Sequence, residues 1–140
     1  MRVVVIYESL TGNTERAARV IAEEARLRGA EAAVYNVTRI GLADLARADI
    51  VFIGTWVDGF ILFGHRPGRA GRLLSMPVID RKKAAIFCTY AINPGDTLAK
   101  LQAVVEDRGA EVIARRAFRR GTLPEGIDAF VEHTLALVPA

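Results

Sequence analysis

At 140 residues the chain has the size of one ordinary domain, and a chain of that length buries roughly two-thirds of its unfolded surface without disulfide staples. Hydrophobic residues make up 51% of it, yet charge interrupts them throughout and no run approaches the ~20 apolar residues of a membrane helix, so a soluble single domain (1–140) is expected, away from membranes. The only cysteine, Cys88, excludes an internal disulfide, and with His65 and His133 as the only histidines no Cys/His metal cage is expected.

The formal net charge of +3 is unevenly spread. Arg66, Arg69, Arg72, Arg81, Lys82 and Lys83 follow His65 with Asp80 as the one acid among them, and Arg115, Arg116, Arg119 and Arg120 form a second cluster. The first has no interleaved aromatic and the second only Phe118, and neither has a binding motif, so both read as solvated faces rather than nucleic-acid surfaces. An acidic protein partner or a nucleotide tail is the ligand chemistry they would suit.

The N-terminus, Met1 to Glu8, enters a short apolar run at once and meets an acid, unlike a signal peptide, so retention in the cytoplasm is expected. Residues 2 to 7 are a β-branched run, residues 8 to 13 are polar and glycine-containing, and residues 14 to 28 carry Ala17, Val20, Ile21 and Ala25 at helical spacing. Ile50 to Gly54 and Ala84 to Cys88 are continuous apolar runs, as strands buried on both faces require.

Farther on, Asn93 as cap, Pro94 in the first turn and Asp96 as a return-bonding group predict a helix from about 94 to 108, with Leu98, Leu101, Val104 and Val105 on its apolar face. Gly109 closes it. Arg28-Gly29-Ala30-Glu31 and Arg108-Gly109-Ala110-Glu111 read as the same helix-to-strand joint, leading into strands around 32–35 and 112–114. Pro124-Glu125 opens a last helix whose buried face is Ile127, Phe130, Val131, Thr134 and Leu135, with His133 exposed. Five strands alternating with about five helices predict a three-layer α/β/α sandwich on a doubly wound parallel sheet, which binds ligands at the carboxyl ends of strands, where strand order reverses.

The loops after strands one, three and four are therefore the places to find chemistry. After strand one, Ser9-Leu10-Thr11-Gly12-Asn13-Thr14 opens a helix with three hydroxyls, a carboxamide and a glycine that permits close approach. With the helix N-terminus behind it, such a loop suits a phosphate monoester. It holds no lysine or arginine and lacks the G-x-G-x-x-G spacing, so it is neither a Walker A nor a dinucleotide sequence. A plain turn and helix cap would need one hydroxyl rather than several.

A strand followed by S/T-x-T-G-x-T and a helix resembles the flavin mononucleotide (FMN) phosphate loop of the flavodoxin family, with Ser9, Thr11, Asn13 and Thr14 at its phosphate-binding positions. The resemblance extends over the whole chain and implies a short-chain flavodoxin with strand order 2-1-3-4-5. Gly54-Thr55-Trp56-Val57-Asp58-Gly59 resembles the family's T-W-x-D loop, which implies that Trp56, the only tryptophan, stacks on the flavin ring. Thr89-Tyr90-Ala91 stands in place of the second flavin loop, with Tyr90 either covering the other ring face or packing on the following helix, and with the N–H groups of Ala91 and Ile92 directed at the pyrimidine end.

Three departures qualify the resemblance. Val57 stands where many electron-carrying flavodoxins have a glycine whose peptide turns over on reduction, and a β-branched residue resists positive φ, which predicts a smaller separation between the two one-electron potentials. The chain is basic where carrier flavodoxins are acidic, pointing to an acidic redox partner. A helix starting directly after Asn93 would leave the Tyr90 loop short.

The expected function is that of an FMN-binding redox protein, monomer or homodimer, passing electrons to a protein partner or a small acceptor, or acting as an FMN-dependent reductase. The alternative is a flavodoxin-fold binding or regulatory module that binds another phosphate ligand or no flavin. The apolar stretch Gly59-Phe60-Ile61-Leu62-Phe63-Gly64 would suit a pocket lining, a partner contact or a buried loop anchor. Ser9 and Ser75 lack the G-x-S-x-G elbow of a hydrolase, and no residue is assigned as catalytic acid or base.

Overall fold

The computed structural model describes residues 1–57 and 77–139. Asp58, Gly59, the apolar stretch to Gly64, His65, Ser75 and the arginines at 66, 69 and 72 lie outside the described residues. In chain order the described elements are β1 (Arg2–Tyr7), α1 (Asn13–Leu27), β2 (Glu31–Asn36), α2 (Leu42–Arg47), β3 (Ile50–Trp56), β4 (Lys83–Tyr90), α3 (Thr97–Asp107), β5 (Glu111–Arg119), a 3-10 turn (Arg120–Thr122) and α4 (Ile127–Ala136). The strands form one parallel sheet in the order β2-β1-β3-β4-β5, a flavodoxin-like doubly wound arrangement.

The continuous apolar runs follow from that order. β1, β3 and β4 are interior strands with a helix layer on each face, so alternate residues must all be apolar. Val3, Val5, Ile50, Phe52, Ala85, Phe87 and Phe118 pack with Ala17, Ile21, Ile127 and Phe130 of α1 and α4. Val4, Ile6, Val51, Ile53, Ala84 and Ile86 pack with Leu45, Leu101 and Val105 of α2 and α3. Phe130 bridges Phe52 and Phe118 edge-on, with ring centroids 5.6 Å apart in each pair, a favoured aromatic geometry.

Gly54 is set by packing. A Cβ there would lie 2.1 Å from Cζ of Phe87, its register partner on β4, so the Phe87 ring occupies the space a side chain would need. The repeated R-G-A-E joint is real in the backbone as well. Gly29 and Gly109 take φ of +88° and +93°, each two residues past the end of a helix, and each is followed by an alanine and by the glutamate that starts the next strand. In the first joint Ala30 N–H donates to Ala25 O at 3.0 Å, a bond that satisfies an end carbonyl of α1.

Several expected boundaries move. α3 begins at Thr97 rather than near 94, because Asn93 Oδ1 accepts from Gly95 N–H at 2.8 Å and Thr97 N–H donates to Pro94 O, which spends 93–96 on a turn. The segment between β4 and α3 is therefore six residues, 91–96, and not the short loop expected. α4 likewise starts at Ile127, since Pro124 and Glu125 lie in turns closed by Glu125 N–H to Thr122 O and Ile127 N–H to Pro124 O. β3 and β4 run two residues beyond their apolar cores, through Thr55-Trp56 and Thr89-Tyr90.

Candidate functional site

β1 delivers the chain to the loop at its carboxyl end through Glu8, whose N–H donates to Gly54 O at 3.0 Å and whose carboxyl is buried. Sequence reasoning passed over Glu8, although an acid directly after a buried strand is the signal that marks it. The loop then bonds to itself. Ser9 Oγ accepts from Gly12 N–H at 3.0 Å, and Thr11 Oγ1 accepts from Asn13 Nδ2 at 3.1 Å. Because both hydroxyls act as acceptors here, each keeps its own hydrogen to donate to a ligand.

Gly12 stands at the N-cap of α1 with φ +95°, a conformation that L side chains rarely adopt, and an added Cβ would meet nothing within 4 Å. The residue is thus required by backbone conformation and not by crowding. No side chain caps α1. Its first intrahelical bond is Arg16 N–H to Gly12 O at 2.9 Å, which leaves the N–H groups of Asn13, Thr14 and Glu15 without helical acceptors at the positive end of a 15-residue helix. Glu15, an acid in that first turn, is held by Arg19, whose Nε and Nη2 donate to the same carboxylate oxygen at 3.1 and 2.8 Å. Its charge is thereby compensated next to an anion-binding end.

Thr14 behaves differently from its neighbours. It is buried, and its hydroxyl bonds Thr89 Oγ1 at 2.8 Å across 75 positions of sequence. The loop-side group that Thr14 offers is its N–H, while the hydroxyl ties the start of α1 to the end of β4. Leu10 is 58% exposed at the loop tip.

Thr55, Trp56, Thr89 and Tyr90 sit in strands rather than in the loops that follow them. Val57 N–H donates to Thr89 O at 3.1 Å, Trp56 registers with Thr89, and Tyr90 registers with Arg119, so the ladder extends to the sheet's rim. β-branched and aromatic residues suit that extension. Register and alternation place Trp56 with Thr89 on the α1 face and Tyr90 with Arg119 on the α3 face, so the two aromatics stand on opposite faces of the rim. Both are half-buried, Thr55 is fully buried, and Ala91 and Ile92 are exposed, Ile92 at 90%. Ser9 to Thr14, Thr55 to Val57 and Thr89 to Ala91 thus converge on the carboxyl end of β1, β3 and β4, with Asp58 and Gly59 outside the described residues.

Cys88 lies in β4 beneath this rim and is fully buried, and burial pushes its thiol up to about 12. A buried thiol held in its protonated form is a poor nucleophile at neutral pH. Among the described residues no group of three or more histidines, cysteines and acids could hold a metal ion, and no helix is long and apolar enough to cross a membrane.

The flavodoxin domain family matches residues 4–134. Among curated proteins, the flavodoxin-like domain-containing protein BilS of Clostridioides difficile (strain CD3) is 28% identical over 144 residues, covering 99% of this chain and 77% of that protein. Among solved structures, the two-electron reduced flavodoxin of Megasphaera elsdenii superposes with a TM-score of 0.78 at 21% identity, over 96% of this chain and 98% of its own. Oxidised flavodoxin 1 of Bacillus cereus superposes with a TM-score of 0.67 at 24% identity, over 98% and 94%. With the sheet order, the loop after β1 and nearly the whole chain in agreement, the chain belongs to the flavodoxin domain family.

Proposed function

We propose that this chain is an FMN-binding redox protein that exchanges electrons with a protein partner or a small acceptor. The observation that carries the reading is the uncapped N-terminus of α1 next to the Ser9 and Thr11 hydroxyls, which accept bonds within the loop and keep their own hydrogens to donate. A phosphate monoester fits this donor set, which is neutral but rich in donors, with the helix dipole supplying the positive field and Arg19 compensating Glu15 in the first turn. The known relatives of the family argue that the phosphate belongs to a flavin.

In this reading Ser9, Thr11, Asn13 and the N–H groups of Asn13 and Thr14 hold the phosphate. Leu10, Trp56 and the segment Tyr90-Ala91-Ile92 supply apolar surface at the same end, which shields a ring from water. The Thr14–Thr89 bond keeps the phosphate end and the ring end at fixed separation. FMN, when bound, supplies the one- and two-electron chemistry, and the protein supplies anchoring and electrostatic surroundings.

Titrating the protein with FMN while following flavin fluorescence tests the proposal. Binding with quenching is expected, with the quenching largely lost in Trp56→Ala. Ser9→Ala combined with Thr11→Ala removes two donors to a charged group, each worth about 1.5–3 kcal/mol, so affinity falls by at least roughly a hundredfold. Absence of binding at micromolar FMN would instead favour a module of this fold that takes another phosphate ligand.

A further inference from the structure

The two edges of the sheet treat charge differently. β2, at one edge, carries Glu31 as its only charged residue, and Arg2 pairs with it at 3.3 Å. β5, at the other edge, begins the same way, with Glu111 paired to Lys83. Toward its carboxyl end the pattern changes. Arg115, Arg116 and Arg119 of β5 and Arg120 of the 3-10 turn form no ion pair among the described residues. Arg115 donates to the neutral Gln102 at 3.2 Å and Arg116 lies over the Phe118 ring at 5.6 Å, so no acid among the described residues compensates either charge.

Arg16 reaches over from α1, its Nη2 donating to Leu123 O at 3.3 Å just past the 3-10 turn. Glu125 and Asp128 are the acids of the following segment, and neither pairs with these arginines. Arg115 and Arg119 share the α3 side of β5, whereas Arg116 and Arg16 stand on the α1 and α4 side. Arg119 is the register partner of Tyr90, so the α3 side of this rim runs alongside the proposed flavin end of the sheet.

Charge on an edge strand also keeps sheets from pairing edge to edge, but β2 guards its edge with a compensated pair, so protection alone does not call for a surplus. We infer that the α3 side of the β5 carboxyl end, Arg115 and Arg119 with Arg120 at the strand's end, is the docking surface for a protein partner that presents carboxylates. The inference rests on the redox reading for its meaning, since a partner bound there would lie beside the electron-exchanging end. Protein carboxylates suit the rim better than nucleic acid does, because Phe118 is buried and no exposed aromatic stands between the arginines to stack on bases. Unpaired guanidiniums are the preferred groups for bidentate carboxylate recognition.

Fluorescently labelled poly-L-glutamate serves as the probe, with the FMN-treated full chain as the partner and binding read by anisotropy at low salt. Arg119→Glu with Arg120→Glu is compared with a charge-matched control, Arg39→Glu with Arg47→Glu, two exposed arginines near the β2 edge that form no ion pair among the described residues. The rim variant is expected to bind at least roughly tenfold more weakly than the control. Equal losses in both variants would overturn the inference, showing that only net charge matters. Tighter binding of charge-matched duplex DNA than of poly-L-glutamate would overturn it in favour of a nucleic-acid surface. FMN affinity is measured in parallel and is expected to stay unchanged in the rim variant; a fall would assign the arginines to the flavin site instead. Should the wild-type chain bind no FMN, the redox reading fails, while the glutamate comparison still decides whether the rim docks acidic protein.

Discussion

The interior strands and the marginal strands of this sheet obey different constraints. β3 is buried from Ile50 through Thr55 and β4 from Ala84 through Thr89, whereas β2 is only half-buried beyond its first residue and β5, apart from the buried Phe118, is half-buried or exposed. Interior positions answer to packing on two faces at once, which leaves them little chemical choice. They fix where the loops emerge. The margins, with one side in water, are free to carry charge, and the β2 and β5 edges use that freedom in opposite ways.

The sharpest way to break the comparison is to damage the interior. Phe52→Ala removes a fully buried ring that touches Phe130, and chemical denaturation should show a loss of about 3–5 kcal/mol. Gly54→Val forces a branched side chain into the Phe87 ring and should cost at least about 1–3 kcal/mol or prevent folding. Thr89→Val strands the Thr14 hydroxyl in a buried place, for about 1–3 kcal/mol in the same assay, together with weaker FMN binding. At the margin, Arg119→Ala should change stability by no more than about 0.5 kcal/mol. A margin substitution as costly as Phe52→Ala would erase the distinction.

Two further predictions sharpen it. Cys88 has a native thiol pushed up to about 12 from a reference of 9.0, so the folded protein keeps the proton where the unfolded chain begins to lose it. The contribution of this group is fully present below about pH 9 and is lost as pH rises from about 9 toward about 12. Denaturation midpoints measured across that range should fall less steeply in Cys88→Ala, and alkylation of the native thiol at pH 8 should be far slower than in denaturant. In the FMN-loaded protein, Val57→Gly frees the backbone for positive φ and should widen the gap between the two one-electron potentials in a redox titration. An unchanged gap would show that Val57 does not limit the backbone there.

Much of the fold is legible in the residues. Valine and isoleucine runs identify the buried strands, the R-G-A-E repeat identifies two similar joints with a positive-φ glycine, and the polar, glycine-containing stretch after β1 marks the site. What escaped is instructive. Asn93 and Pro94 look like a helix start, but Asn93 bonds Gly95 in a turn of its own and delays α3 to Thr97. Thr55-Trp56 and Thr89-Tyr90 look like loop because the apolar run has ended, yet the ladder continues, since hydrogen bonding between neighbouring strands does not depend on hydrophobicity. The Thr14–Thr89 bond joins residues 75 apart, and no local pattern announces a contact of that kind.

The central claim is that the loop from Ser9 to Thr14 and the N-terminus of α1 hold the phosphate of a flavin. Comparing the affinities of FMN and riboflavin, which share the ring and differ in the phosphate, tests it most directly. Tighter binding of FMN by at least roughly a hundredfold is expected, with the difference largely abolished in the Ser9→Ala, Thr11→Ala double variant while riboflavin binding is unaltered. Equal affinities for the two flavins would contradict the account.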